Sequence, residues 1–177
     1  MNIDWFLPVT WLSLGVVVVG SGLRAHHSLT GYRTGVYATS ALWVLGGAAG
    51  NLWLLARGGD YSGFADGASS DFVRETWETL VVPHHTFFIG LLIVGETLAG
   101  LLVLVPGRVR QAALLSLIGF NVLLLSFGWA YLVWTVPLVL ALALLWHAGR
   151  PAGAARVVGP GHSGRATVGG SELCDEA

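Results

Sequence analysis

The chain has 177 residues, a formal net charge of −1, and 54% hydrophobic against 11% charged residues, with a mean hydropathy of +0.70. That balance lies outside the range of a soluble globular domain and indicates an integral membrane protein in contact with a lipid bilayer. All nine basic residues are Arg and they form no basic stripe with interleaved aromatics, which argues against nucleic acid as a partner. The single Cys174 supplies neither a disulfide framework nor a metal-ligand spacing.

A membrane-crossing helix needs about 20 mostly apolar residues. The first such run is residues 5–23, closed by Arg24, and the absence of a charged leader region and small-residue cleavage site makes it a retained span rather than a cleaved signal. His26 and His27 follow at its inner end. The second run is residues 36–56, closed by Arg57; its Gly46, Gly47 and Gly50 admit close approach of a neighbour, and Asn51 reads as a packing residue. Residues 57–79 then carry Asp60, Asp66, Asp71, Glu75 and Glu78 against Arg57 and Arg74. Within them, residues 70–79 predict a short amphipathic helix capped by Ser70, with Phe72, Val73, Thr76, Trp77 and Leu80 on its apolar side, lying at the outer interface.

The third run, residues 80–105, opens with Pro83, His84 and His85, contains Glu96, and ends at "PGRVR". Residues 112–146 follow without a charged side chain, and as one helix they would extend about 52 Å against roughly 30 Å of hydrocarbon. The aromatic and Gly-containing stretch "SFGWAYLVW" therefore marks a join between a fourth span at residues 112–127 and a fifth at 129–148. The reading is an all-α transmembrane bundle over residues 1–148 with five spans, the alternative being four with a broken last helix. From Gly149 the chain turns Gly-rich and polar, which predicts a disordered cytoplasmic tail over residues 149–177.

Charge placement supports the larger number. Arg24 with Arg33, Arg108 with Arg110, and Arg150 with Arg156 all fall on one side if there are five spans, and that side is the cytoplasmic one. The N-terminus, with Asp4 and no basic residue, is then outside, and the protein is a multi-pass component of the cell membrane.

Two features carry candidate chemistry. Glu96 lies near mid-membrane, where an ionised carboxylate is costly, so it should face the bundle and be protonated or paired. Asn121 is expected at the same depth on the next span and is the proposed hydrogen-bond partner. Glu96 is then either a proton-accepting, quinol-facing group or a polar contact that holds two helices together, aided by Gly95 and Gly100. His84 and His85 at the outer mouth of the third span are the second feature: side chains of adjacent residues point about 100° apart on a helix, so only one faces the bundle. That one could bond a quinone carbonyl or titrate near neutral pH, while the plainer alternative is a ring seated at the interface. His26, His27, His147, Arg24 and Arg110 at the inner side read as facing lipid phosphates. No third ligand completes a metal site with either His pair, and no haem ligand pair, phosphate loop, C-x-x-C or Ser-His-Asp set indicates a cofactor held on the chain.

The stretch "FVRETWETLVVPHHTFFIGLLIVGETLAGLLVLV" resembles the DoxX-like family of small membrane proteins, in which an aromatic-rich loop leads through a proline into a helix bearing Gly-Glu, a further Gly and a Leu-rich end. Here those positions are Pro83, Gly95, Glu96 and Gly100, and "GRVRQAALLSLIGFNVLLL" suits the family's next helix, so the resemblance covers about residues 36–148. It departs from the family at "GFNVLLLSFGW" and in lacking a basic residue at the inner close of the unit's first helix. The resemblance implies a helical-bundle subunit associated with membrane redox chemistry; some of the wider family are linked to thiosulfate:quinone oxidoreductase and others to oxidative-stress complexes. With no cysteine in the spans, persulfide chemistry on this chain itself is not expected. The leading expectation is thus a subunit, at most, of a membrane oxidoreductase: quinone is the substrate, a separate redox protein the electron source, and self-association is left open. A small proton-coupled transporter or channel, or a structural subunit of a membrane complex, are the rivals.

Overall fold

The structure, a computed structural model, describes residues 6–59 and 61–150, and every regular element among them is helical. The expected tail lies almost wholly outside the described residues. Helix α1, Phe6–Arg24, ends where Arg24 supplies its carbonyl to the amides of His27 and Ser28, both at 3.0 Å. Ser28 then opens the next helix in an extended conformation, its side chain accepting from the Gly31 amide at 3.3 Å. This cap satisfies one of the free amides of a first turn. Helix α2, Leu29–Ala41, therefore begins well before residue 36, the start expected from hydropathy, because a cap decides the start and polar Thr30, Arg33 and Thr34 are tolerated on an exposed turn.

Helix α2 continues without a break through a π-helical stretch, Leu42–Ala48, into α3, Ala49–Ala56. Wide turns of this kind inside a helix recur at functional sites. The amphipathic segment forms α4, Asp71–Thr76, with Ser70 accepting from the Val73 amide, and runs on as a π-helical Trp77–Val81. Its packed side differs from the apolar face read from sequence: Trp77 turns inward, whereas Phe72 is 77% exposed and Leu80 47%. Helix α5 is His85–Leu102, shorter at both ends than the expected 80–105, because Pro83 falls in a turn ahead of the helix rather than inside it.

Helix α6, Arg108–Leu124, closes in a 3-10 turn, Leu125–Phe127, and α7, Trp129–Ala148, starts afresh beyond Gly128. The break is residue-specific. Gly128 has φ 123°, and a Cβ there would sit 2.1 Å from the Gly67 carbonyl oxygen, so only glycine fits. Ser69 fastens the same corner through its amide and its hydroxyl, both donating to the Ser126 carbonyl at 2.9 Å. Phe64 stacks on Trp77 at 4.9 Å and meets Phe127 edge-on at 5.0 Å, so an aromatic cluster pins residues 61–81 over the α6–α7 corner.

Four helical segments are long and apolar enough to cross a membrane: Leu29–Ala56, His85–Leu102, Arg108–Phe127 and Tyr131–Ala148; a shorter apolar helix, Val9–Arg24, lies beside them. The core is a seam of Val18, Leu42, Leu114, Leu138, Leu142 and Leu145, none more than 1% exposed, where α1, the π-helical stretch, α6 and α7 converge. Only 17% of the α5 window is buried inside the bundle, so most of its apolar surface suits lipid rather than water. Helix α5 leans mainly on the Leu42–Ala48 stretch and touches α6 less, which leaves a gap between α5 and α6.

Candidate functional site

Glu96 projects from α5 into the contact with the π-helical stretch and is 7% exposed. Its Oε2 accepts a hydrogen bond from Asn51 Nδ2 at 3.1 Å. On its other side the carboxyl group lies against Gly47, where a Cβ would come within 2.8 Å of Oε1. Gly47 and Asn51 are four residues apart and share one helix face, so a missing side chain makes the space and an amide fills the bond.

This arrangement corrects the pairing expected from depth. Asn121 is 1% exposed, but its Nδ2 donates to the Leu117 carbonyl of its own helix at 2.8 Å, while the carboxylate of Glu96 is bonded by Asn51. Equal depth on two antiparallel helices does not determine the rotation of either about its axis. Gly47, facing Glu96, and Gly100 of α5, facing Trp43 and Val44, let α5 approach the π-helical stretch, and α6 is left with a buried amide that bonds backward along its own turn. Asn51, read from sequence as packing, is the partner instead.

A second layer joins the site to residues 61–84, in the connection between α3 and α5. Tyr61 Oη donates to the Asn51 carbonyl at 3.1 Å, and the Tyr61 carbonyl accepts from Trp77 Nε1 at 2.9 Å. Tyr61 is held at φ 57°, the one non-glycine positive φ among the described residues. Burial, and secondarily the negative charge of Glu96, push its phenol above the ordinary value of 10.0. Of the two histidines at the start of α5, His84 is exposed and His85 half-buried. His85 Nδ1 lies 2.9 Å from the Val82 carbonyl, which can only accept, so Nδ1 carries a proton. Its ring stands 6.4 Å from that of Tyr61, and about 16 Å of helix axis separates it from Glu96. The histidine thus belongs to the mouth of the site and not to its floor.

On the opposite side Glu96 lines a cavity of about 410 Å³ in the gap between α5 and α6. Phe88 and Leu92 of α5, Leu117 and Phe120 of α6, and Trp43 of the π-helical stretch supply apolar walls. Trp43 is 6% exposed and meets Phe120 edge-on at 5.3 Å, yet its Nε1 has no acceptor among the described residues. A buried indole N–H without a partner is costly, and it is a donor only. The cavity therefore has Glu96 and Ser116 as its polar lining residues in an apolar, aromatic setting, with the unmatched Trp43 N–H buried in its wall. Sequence reasoning missed Trp43 and Tyr61 and read Gly47 only as a point of close helix approach; the four-residue spacing from Gly47 to Asn51 was the local signal that those two share a face.

No group of three or more His, Cys, Asp or Glu side chains gathers among the described residues. His26 and His147 do meet, edge-on at 5.3 Å, at the end of the bundle opposite His85. Compared with known proteins, the chain matches no family model, no curated protein and no solved structure.

Proposed function

We propose that this chain is a DoxX-like integral membrane subunit that supports proton-coupled electron transfer to the quinone pool, with Glu96 as its proton group. The observation that carries the reading is the two-sided setting of Glu96: one carboxyl oxygen is fixed by Asn51, while the side chain lines an apolar cavity between two helices suited to lipid. A membrane-dissolved quinone ring can enter such a cavity from the bilayer, stack among Phe88, Trp43 and Phe120, and accept hydrogen bonds at its carbonyl oxygens. Reduction to the quinol takes two electrons and two protons. The electrons come from a partner redox protein, since the described residues offer no group that would store them; Glu96 passes one proton to the quinone, is reprotonated from the side of Tyr61 and His85, and passes the second in the same way.

In this reading all five long helices cross the bilayer. Arg24, Arg33, Arg108, Arg110 and Arg150 mark the cytoplasmic end, and α4 lies at the outer interface with its acidic neighbours. A structural role is the second reading, favoured by the fact that the Asn51–Glu96 bond ties α3 to α5. Infrared difference spectroscopy of the purified chain in lipid separates the two. A carboxyl band that shifts when a short-chain quinone is added, and is missing in Glu96→Gln, supports proton transfer; a band indifferent to quinone leaves only helix packing.

A further inference from the structure

At the end of the bundle opposite His85, the last turn of α1, the first turn of α2, the α5–α6 connection and the last turn of α7 come together. Arg24, Arg33, Arg108, Arg110 and Arg150 all lie there, and the sequence has no acidic residue between Asp4 and Asp60 or between Glu96 and Glu172. Helix dipoles contribute little to offset this charge, because three helix C-termini and two N-termini share the end.

One part of this end is a shaped groove of about 290 Å³ rather than an open surface. Arg110 forms its rigid corner. Its Nε donates to the Val103 carbonyl at 2.7 Å and its Nη2 to the Leu104 carbonyl at 3.0 Å, closing the end of α5, while Nη1 donates to Tyr32 Oη at 3.2 Å. These bonds use three of five guanidinium N–H groups and neutralise none of the charge. Tyr32 Oη, having accepted, keeps its own proton to donate. Arg33, the next residue on α2, is exposed and lines the same groove, with no carboxylate paired to it among the described residues. Below this polar corner the groove continues along α2 over Val36 and Tyr37 and is walled on the α5 side by Leu104; Tyr37 is 66% exposed.

We infer that the groove between Arg33 and Arg110 binds the phosphate headgroup of an anionic phospholipid, with Tyr32 Oη donating to a phosphate oxygen and Val36, Tyr37 and Leu104 against the first part of an acyl chain. The polar corner alone would suit any phosphate. The apolar wall running from it in the direction of the helix axis suits an amphiphile, and a pair of guanidinium groups with an added hydroxyl suits a phosphodiester better than a zwitterion, whose ammonium they would repel. The inference rests on the membrane reading of the chain but not on the quinone reading, and its test contains no quinone.

The test is a titration of the intact chain, purified in a neutral detergent, with short-chain phosphatidylglycerol, short-chain phosphatidylcholine and inorganic phosphate in turn. Saturable binding of phosphatidylglycerol is expected, weakened about fivefold in Arg33→Gln, largely restored in Arg33→Lys, and unchanged in Arg150→Gln. Arg150 is the control because it belongs to the same charged end but stacks on Trp146, 3.5 Å from the ring centroid, outside the groove. Equal binding of the two lipids overturns the proposal, as does an unaffected Arg33→Gln. Equal weakening by Arg33→Gln and Arg150→Gln would mean a diffuse positive end and no site. Inorganic phosphate binding as tightly as phosphatidylglycerol would make it a site for the free anion, against the lipid assignment.

Discussion

Asn51 donates its side-chain amide to Glu96 across 3.1 Å, and this one bond links α3 to α5 inside an otherwise apolar contact. A carboxyl group so placed has few alternatives, because the water that would solvate it elsewhere is excluded. Asn51→Ala is expected to lower stability by about 1–3 kcal/mol, the cost of a buried acceptor losing its donor. Thermal unfolding in detergent reads it, and an unchanged transition would show that the bond carries no weight.

Gly47 and Gly95 make a matched pair for testing how tightly the carboxyl group is held. A methyl group at Gly47 would press on Glu96 Oε1, whereas one at Gly95 meets nothing within 4 Å. Gly47→Ala should therefore cost about 1–3 kcal/mol and perturb the carboxyl band, while Gly95→Ala should stay within about 0.5 kcal/mol of wild type. Similar transitions for the two variants would contradict the contact.

Trp43→Phe keeps an aromatic ring near Phe120 and removes the unmatched N–H together with part of the indole's bulk. Losing an unmatched buried donor favours the variant and the volume lost from a buried position opposes it, so stability should change by less than about 3 kcal/mol. Affinity for a short-chain quinone should drop about fivefold to tenfold if that N–H is what a quinone oxygen meets. A fluorescence titration with the quinone decides it: undiminished affinity would remove Trp43 from the site while leaving Glu96 untouched.

Tyr61 sets an alkaline limit. Its folded-state value lies above the ordinary phenol value, so its contribution is fully present below about 10 and is lost as pH rises through the folded value. Phenolate absorbance should show Tyr61 ionising late, as the part of the late titration that Tyr61→Phe removes, and stability should fall across that window. Tyr61→Phe should flatten this alkaline fall at a cost of about 1 kcal/mol at neutral pH, for the bond to the Asn51 carbonyl. An unaltered alkaline profile in the variant would place the pH dependence elsewhere.

Much of the architecture follows from information that is local along the chain. Apolar length bounded by Arg marks each long helix, Ser70 caps α4, and a 35-residue apolar run that exceeds the membrane has to break, which it does at the glycine facing Gly67. What tertiary structure alone decided is who meets Glu96. A helix can turn about its axis without changing its hydropathy or its depth, so the depth that pointed to Asn121 did not fix which helix face meets Glu96. Packing chose Asn51, because Gly47 leaves room for a carboxyl group and the π-helical stretch brings α5 against it. Tyr61 reaches the same place by the path of a loop, and Trp43 borders the cavity only because α5 leans away from α6; neither depends on any spacing the sequence displays.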